Sequence, residues 1–198
     1  MELPGEAFQL KMAPIERLLE LKRKARALDT ARKAGVMVLF YPDVNLKTCL
    51  LLTLRKTYKG VHSAQIGFPG GKEEPGDGSL LDTALRETEE EVGIPRDAIS
   101  VLKPLTEIYI PPSDYFVQPY LGTAHDPPVF ISQEDEVEAL VEVPLTHFMD
   151  DTVLIKKTLS TSYATDIEVP AYLLNGQVVW GATAMMLGEV REILRQVL

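Results

Sequence analysis

The chain has 198 residues, of which 45% are hydrophobic and 25% are charged. This length fits one globular domain, and the composition excludes a disordered chain. Acidic residues outnumber basic ones by 29 to 20, which gives a formal net charge of −9 and excludes broad binding to nucleic acid. No apolar stretch approaches the roughly 18 residues of a membrane span. We expect no signal peptide and, since Cys49 is the single cysteine, a cytoplasmic protein.

The first third of the chain is predicted to hold a helix and a hairpin. Apolar residues recur at helical spacing over residues 13–28, which predicts an amphipathic helix. Two apolar runs follow, Gly35–Tyr41 and Thr48–Leu54, and the polar turn between them predicts a β-hairpin. Residues 61–71 begin like a strand and end in a loop that contains proline and two glycines.

A second helix is predicted for residues 79–92, ending at Gly93. Strands are then predicted at residues 99–110, 115–123, 136–143 and 152–159, followed by an Asn-Gly hairpin at 173–179 and a helix from about 182. This order predicts an α/β protein with a mixed β-sheet and helices on its faces. Residues 1–30 are expected to form an N-terminal helical extension packed on a single domain of residues 31–198.

The most informative feature is a group of acidic residues on the second helix. Glu87, Glu90 and Glu91 are three and four residues apart and therefore share one face. Their like charges repel unless a counter-charge arrives, and Arg86 offsets only part of the repulsion. Carboxylate oxygens suit Mg²⁺ or Mn²⁺. The spacing is compatible with a divalent-cation site, but the acidic run taken alone favours a solvated acidic face, which is the usual explanation of a charge run.

The loop before this helix strengthens the interpretation as a ligand site. Gly70 and Gly71 permit a close approach of the backbone to a bound group. Lys72 follows them and could meet a phosphate or remain a solvated charge. A Walker A loop is excluded, because Glu73 stands where that motif requires a hydroxyl residue.

These residues resemble the Nudix hydrolase family, whose box reads G-x5-E-x7-R-E-U-x-E-E-x-G-U, with U a bulky aliphatic residue. The matching positions are Arg86, Glu87, Glu90, Glu91, Gly93 and Ile94. Thr88 replaces the first aliphatic residue, and Asp77 replaces the first glutamate in a loop that is one residue longer. The longer loop looks like the coenzyme A diphosphatase branch of the family.

Further segments between residues 35 and 195 are similar to that branch. They are Leu51–Arg55 with His62, Gln65 and Phe68–Gly71; Pro111–Ser113 with Val117 and Pro119; Glu136–Val137; Val143–Leu145; and Val179–Ala184. Two positions depart from the branch pattern, because Gly60 stands in place of an arginine and Ala64 in place of a glycine. The arginine is a candidate phosphate contact, so its replacement keeps other substrates open.

The resemblance implies an α/β/α sandwich and an enzyme that uses Mg²⁺ or Mn²⁺ to direct water at phosphorus in a diphosphate linkage. The expected substrate is coenzyme A or an acyl-coenzyme A. One alternative is another nucleoside diphosphate derivative, such as ADP-ribose, NADH, a nucleotide sugar or a dinucleotide. The other is a non-catalytic nucleotide-binding module. Dimers are common in the family, which leaves a homodimer open.

The resemblance also implies roles for individual residues. Glu87 and Glu91 are expected to bind the metal directly, and Glu90 to be a further ligand or a water-orienting base that Arg86 holds. Glu136 is the candidate for a second base, with Glu134 and Glu138 too close in sequence to exclude. The expected substrate contacts are Arg55, His62, Gln65, Phe68, Gly70 and Gly71, and the alternative for Arg55 is a pair with an acidic residue. Four aromatic residues are expected to be core rather than base-stacking: Tyr109, Tyr115, Phe116 and Trp180.

Overall fold

The computed structural model describes residues 2–14, 31–56, 65–159 and 165–198. The helix predicted for residues 13–28 therefore lies almost entirely outside the described residues, as do His62, Gly60 and Ala64. Every helix within the described ranges is too short or too polar to cross a membrane.

Eleven strands and four α-helices are described. The strands are β1 (Arg32–Pro42), β2 (Thr48–Arg55), β3 (Ile66–Gly67), β4 (Gly70–Lys72), β5 (Ile99–Pro104), β6 (Ile108–Ile110), β7 (Tyr115–Ala124), β8 (Val137–Pro144), β9 (Leu154–Leu159), β10 (Ile167–Leu174) and β11 (Gln177–Trp180). The helices are α1 (Glu6–Gln9), α2 (Leu80–Val92), α3 (Leu145–Met149) and α4 (Gly181–Arg195). Short 3₁₀ turns lie at Leu10–Met12, Arg96–Ala98 and Asp151–Val153.

The larger sheet is mixed, as predicted. β1 lies at its centre, parallel to β7 and antiparallel to β2 and β4. β2 also pairs antiparallel with β3 and β8, while β7 pairs antiparallel with β5 and β6. The predicted β1–β2 hairpin is therefore present, and the loop predicted near residue 70 contains the two short strands β3 and β4.

A separate three-stranded antiparallel sheet contains β9, β10 and β11. The Asn-Gly turn between β10 and β11 has φ of 48° at Asn175 and 79° at Gly176. Both values are positive, as the two-residue turn that favours this dipeptide requires. The predicted hairpin is confirmed, and β10 begins earlier than the sequence indicated, at Ile167.

Alternate residues of β1 enter two cores, because successive side chains of a strand point to opposite faces. Val38 belongs to a core that includes Met185 of α4. Met37, the preceding residue of the strand, belongs to the core that includes Ala84 of α2. The sheet thus separates α2 from α4, and the mixed α/β architecture with helices on both faces is confirmed.

Helix α2 begins and ends within one residue of the prediction. The Ser79 hydroxyl accepts a hydrogen bond from the backbone N–H of Asp82 at 3.2 Å, which caps the N-terminus. Gly93 follows the last residue of the helix in the left-handed conformation, with φ of 76°. The helix is therefore fixed at both ends, which holds its acidic face in one place.

Candidate active site

Three carboxylates meet where α2 faces the loop before β8. One oxygen from each of Glu87, Glu91 and Glu136 lies within 4.8 Å of the other two. Glu91 is 2% exposed and Glu87 is 9% exposed, whereas Glu136 is exposed. We call these three residues the acidic cluster. It joins two residues of the predicted metal-binding face to the residue predicted as a second base.

Glu91 is held by the loop that precedes α2. Its Oε2 accepts a hydrogen bond from the backbone N–H of Gly70 at 3.1 Å, and its Oε1 lies 3.3 Å from Nη2 of Arg55. The same Arg55 nitrogen donates to the carbonyl of Gly70 at 2.7 Å. Burial raises the pKa of Glu91 to about 7, although Arg55 and the Gly70 N–H oppose the shift.

Glu87 lies against the backbone of the same loop. A Cβ atom built on Gly71 would lie 2.5 Å from the carboxyl carbon of Glu87, so only glycine leaves room for this carboxylate. Burial raises the pKa of Glu87, and the guanidinium of Arg86 opposes the shift. The glycines predicted to contact substrate therefore also shape the positions of Glu87 and Glu91.

Glu90 lies apart from the acidic cluster. Nη1 of Arg86 donates to Oε2 of Glu90 and to Oε1 of Glu87, both at 3.0 Å. The Glu90 side chain is 52% exposed. The contact between Arg86 and Glu90 that the resemblance implied is present, while Glu136 occupies the third place in the cluster. The roles of Glu90 as a ligand or a base stay predictions.

Asp77, which departs from the Nudix box, fixes Arg86 from the other side. Nε and Nη2 of Arg86 donate to the two oxygens of Asp77 at 2.9 and 3.0 Å. The hydroxyl of Thr83 and the N–H of Glu74 also donate to Asp77. These bonds hold the pKa of Asp77 well below its usual range. Sequence reasoning missed this role, although the place of Asp77 in the box was the available signal.

A cavity of about 720 Å³ adjoins the acidic cluster, and both Glu87 and Glu136 line it. Its other charged or polar side chains include Arg55, Gln65, Lys72, Glu74, Arg86, Glu90, Ser113 and Thr183. Its apolar side chains include Ile66, Phe68, Ile110, Val117, Met185 and Met186. A cavity of this size, polar in one part and apolar in another, is typical of a small-molecule site.

The structure brings most predicted substrate contacts to this cavity. Arg55, Gln65, Phe68, Gly70 and Gly71 all line it, whereas His62 lies outside the described residues. Tyr115 and Trp180 were expected to be core, but both are partly exposed and line the cavity. Met185 and Met186 of α4 are buried and also line the cavity.

The acidic cluster fits a hard divalent cation. All of its ligand atoms are carboxylate oxygens, which is the donor type that Mg²⁺ and Mn²⁺ prefer. Two of its members are buried, and the pKa values of both are raised. A cation would compensate the charge that burial disfavours.

The raised pKa of Glu91 leads to a prediction for the metal-free protein. Between the ordinary pKa of 4.5 and the folded value of about 7, the folded state holds one proton more than the unfolded state. Stability must therefore fall as pH rises through 7. We expect the deprotonation of Glu91 alone to lower the free energy of unfolding by about 3 kcal/mol as pH rises from about 5 to 8.

Urea unfolding in the presence of a chelator tests this prediction. The variant Glu91→Gln removes the titrating group and keeps the shape of the side chain. The unfolding free energy of the variant minus that of the natural chain should be more positive at pH 8 than at pH 5. An equal difference at both pH values would contradict the assignment.

The family model and the relatives that match this chain all carry the same family description, Nudix. A family model described as the NUDIX domain matches residues 31–160. The uncharacterized Nudix hydrolase NudL of Yersinia enterocolitica is 37% identical over 155 residues, which cover 75% of this chain and 73% of that protein. NudL of Yersinia pestis is 33% identical over 198 residues, covering 96% and 91% of the two chains.

Two solved structures share the fold. RenU, a Nudix hydrolase from M. smegmatis, superposes with a TM-score of 0.58 at 14% identity, covering 85% of this chain and 88% of that chain. A MutT/nudix family protein from Enterococcus faecalis gives a TM-score of 0.52 at 16% identity, with coverage of 96% and 73%. At these identities the likeness shows the fold alone.

Proposed function

The chain belongs to the Nudix hydrolase family, and from this membership we propose that it hydrolyses the diphosphate linkage of coenzyme A or an acyl-coenzyme A. Membership of the family itself shows a Nudix hydrolase that acts on a phosphorus-containing substrate. One observation supports coenzyme A as that substrate. Segments similar to the coenzyme A branch, including Pro112, Ser113 and Trp180–Thr183, line the same cavity as Glu87 and Glu136.

Mg²⁺ or Mn²⁺ would be held by Glu87, Glu91 and Glu136. When bound, such an ion neutralises phosphate oxygens and lowers the pKa of a coordinated water. The residues around the ligands keep them in place: the Gly70 N–H and Arg55 hold Glu91, and Arg86 holds Glu87. This arrangement would also reverse the local field of a protein with a net charge of −9, so that an anionic substrate can approach.

Glu90 is the proposed residue for orienting the attacking water and accepting its proton. It lines the cavity beside the acidic cluster, and its charge-assisted bond to Arg86 fixes the direction of the carboxylate. Glu136 is the second candidate for this proton transfer, because it is the exposed member of the cluster. Lys72 lines the cavity with an exposed ammonium group and is the proposed phosphate contact. Catalysis then depends mainly on positioning and charge stabilisation.

A second candidate function is hydrolysis of another nucleoside diphosphate derivative, such as ADP-ribose, NADH, a nucleotide sugar or a dinucleotide. Gly60 and Ala64 favour it, since both depart from the coenzyme A pattern. The non-catalytic alternative explains the site less well. A module that only binds nucleotide gains nothing evident from burying mutually repelling carboxylates.

A substrate panel tests the proposal. The protein is incubated with Mg²⁺ or Mn²⁺ and coenzyme A, an acyl-coenzyme A, NADH, ADP-ribose, diadenosine polyphosphates or nucleotide sugars, and the products are separated by chromatography. We expect coenzyme A or its thioester to be turned over fastest, yielding 3′,5′-ADP and a phosphopantetheine. Fast turnover of another compound without turnover of coenzyme A would overturn the substrate class. Absence of all turnover would favour the binding module.

Three further points are proposed on family grounds. Residues 1–30 are an N-terminal extension, and residues 31–198 are one Nudix domain. The protein is cytoplasmic, in line with a single cysteine that is buried. It forms a homodimer, which sedimentation of the full chain would test.

A further inference from the structure

Residues 2–14, which we call the N-terminal segment, form part of the cavity wall. Pro14 is buried and lines the cavity. Met12 and Ala13 belong to the same core as Met185 and Met186 of α4, and those two methionines also line the cavity. The apolar wall therefore consists of two parts, one from the N-terminal segment and one from α4.

A buried carboxylate joins these two parts. Glu189 of α4 is fully buried. Oε1 accepts hydrogen bonds from the hydroxyl of Thr106 at 2.6 Å and from the N–H of Gly5 at 3.3 Å. Oε2 accepts from Nε2 of Gln9 at 3.0 Å and from the N–H of Thr106 at 3.2 Å. All four donors are uncharged groups, so this buried carboxyl group is stabilised by hydrogen bonds.

The contact between the N-terminal segment and α4 is close as well as polar. A Cβ atom built on Gly188 would lie 3.0 Å from the carbonyl oxygen of Phe8 and 3.1 Å from Cγ of Met12. Glycine is otherwise unfavourable inside a helix. At position 188 it allows the N-terminal segment to approach α4 closely. Met185 is four residues before Glu189 and shares its side of the helix.

We propose that Glu189 is a positioning residue that holds the N-terminal segment on α4 and thereby sets an apolar wall, formed by Pro14, Met185 and Met186, for the part of the substrate remote from the diphosphate. The proposal rests on the proposed function for the kind of substrate. An apolar wall recognises an apolar group through burial, and in an acyl-coenzyme A that group is the acyl chain. Glu189 itself does not line the cavity.

Two kinds of variant separate the N-terminal segment from α4 by different means. Glu189→Gln keeps the size of the side chain but turns an amide donor toward groups that already donate. Gly188→Leu keeps the Glu189 carboxylate and instead wedges the segment away from α4 with an added side chain. Glu6→Gln is the matched control, because it removes one negative charge from an exposed position of the same segment.

The variants are compared by hydrogen exchange of residues 2–14 and by steady-state kinetics with hexanoyl-coenzyme A and coenzyme A. In both Glu189→Gln and Gly188→Leu we expect faster exchange and a KM for the hexanoyl thioester raised by about tenfold, as for the loss of one apolar contact. The KM for coenzyme A should change less, and kcat should be retained. Glu6→Gln should behave like the natural chain.

Three results would overturn the proposal: unchanged exchange in Glu189→Gln, faster exchange without a change in KM, or a fall in kcat at constant KM. Failure of the proposed function gives a different result, because the natural chain then turns over neither thioester nor coenzyme A. In that case the affinity of hexanoyl-coenzyme A, measured by calorimetry in all four proteins, decides in place of KM. Equal affinities, or no measurable binding by the natural chain, would overturn the proposal.

Discussion

Replacement of Glu91 by glutamine should lower turnover by at least about a hundredfold. The substitution replaces one of the three anionic groups of the acidic cluster by a neutral amide, which weakens the binding of a cation there. The fold should remain intact, because the glutamine has the same shape and the buried carboxylate was poorly solvated at 2% exposure. Above about pH 7 the variant should be more stable than the natural metal-free chain. Loss of activity with a gain of stability separates a functional charge from a structural one.

Glu89→Gln is the matched control for this prediction. Glu89 lies on the same helix, but its carboxylate is exposed and pairs with Arg96 at 2.8 Å. Its turnover should equal that of the natural chain. If Glu91→Gln also retained full turnover across the substrate panel, the assignment of Glu91 as a metal ligand would be refuted. Lower turnover together with lower stability would instead indicate a damaged fold.

Local patterns in the sequence were sufficient to predict helix α2 and part of the site. The terminal glycine and the helical spacing act over a few residues, so the common face of Glu87 and Glu91 could be predicted. Glu90 shares that spacing, and its expected contact with Arg86 is present. Its separation from the acidic cluster was not predicted, because spacing alone contains no information about the Asp77 bonds that orient Arg86.

The sequence pointed to Glu136 as the second base but could not exclude its neighbours. Glu134 and Glu138 remained alternatives before the strand pairing was known. The structure distinguishes them through the pairing of β2 with β8, in which Arg55 lies opposite Val137. The N–H of Lys56 also donates to the carbonyl of Glu136 at 3.0 Å. This long-range register brings Glu136 beside the residues of α2.

Arg55 shows a similar limit. Arg55 was expected to contact substrate, with a pair to an acidic residue as the alternative, and it does line the cavity. Its nitrogen, however, also contacts Glu91 and the carbonyl of Gly70. Arg55 pairs with Glu91 because that carboxylate is buried beside it. The sequence does not show which glutamate of an acidic run is buried.

Among the variants proposed here, replacement of Arg86 by alanine should lower the stability of the fold the most. The side chain of Arg86 is 13% exposed and donates to Asp77, Glu87, Glu90 and the carbonyl of Lys72. Its removal leaves the nearly buried carboxylate of Asp77 without its cation. We expect the free energy of unfolding to fall by about 3 kcal/mol, the magnitude for one partner lost from a buried pair. Turnover should fall as well, because Glu87 and Glu90 lose their common donor.

Arg86→Lys tests whether geometry or charge is responsible. Lysine keeps the positive charge but cannot reproduce the planar fork that bonds both oxygens of Asp77 while reaching Glu87 and Glu90. We therefore expect Arg86→Lys to resemble the alanine variant in turnover and to lie between it and the natural chain in urea stability. Arg96→Lys is the control, since its exposed pair with Glu89 should contribute little. If Arg86→Lys retained full turnover, charge alone would suffice, and orientation of Glu90 by Arg86 would have no part in the mechanism.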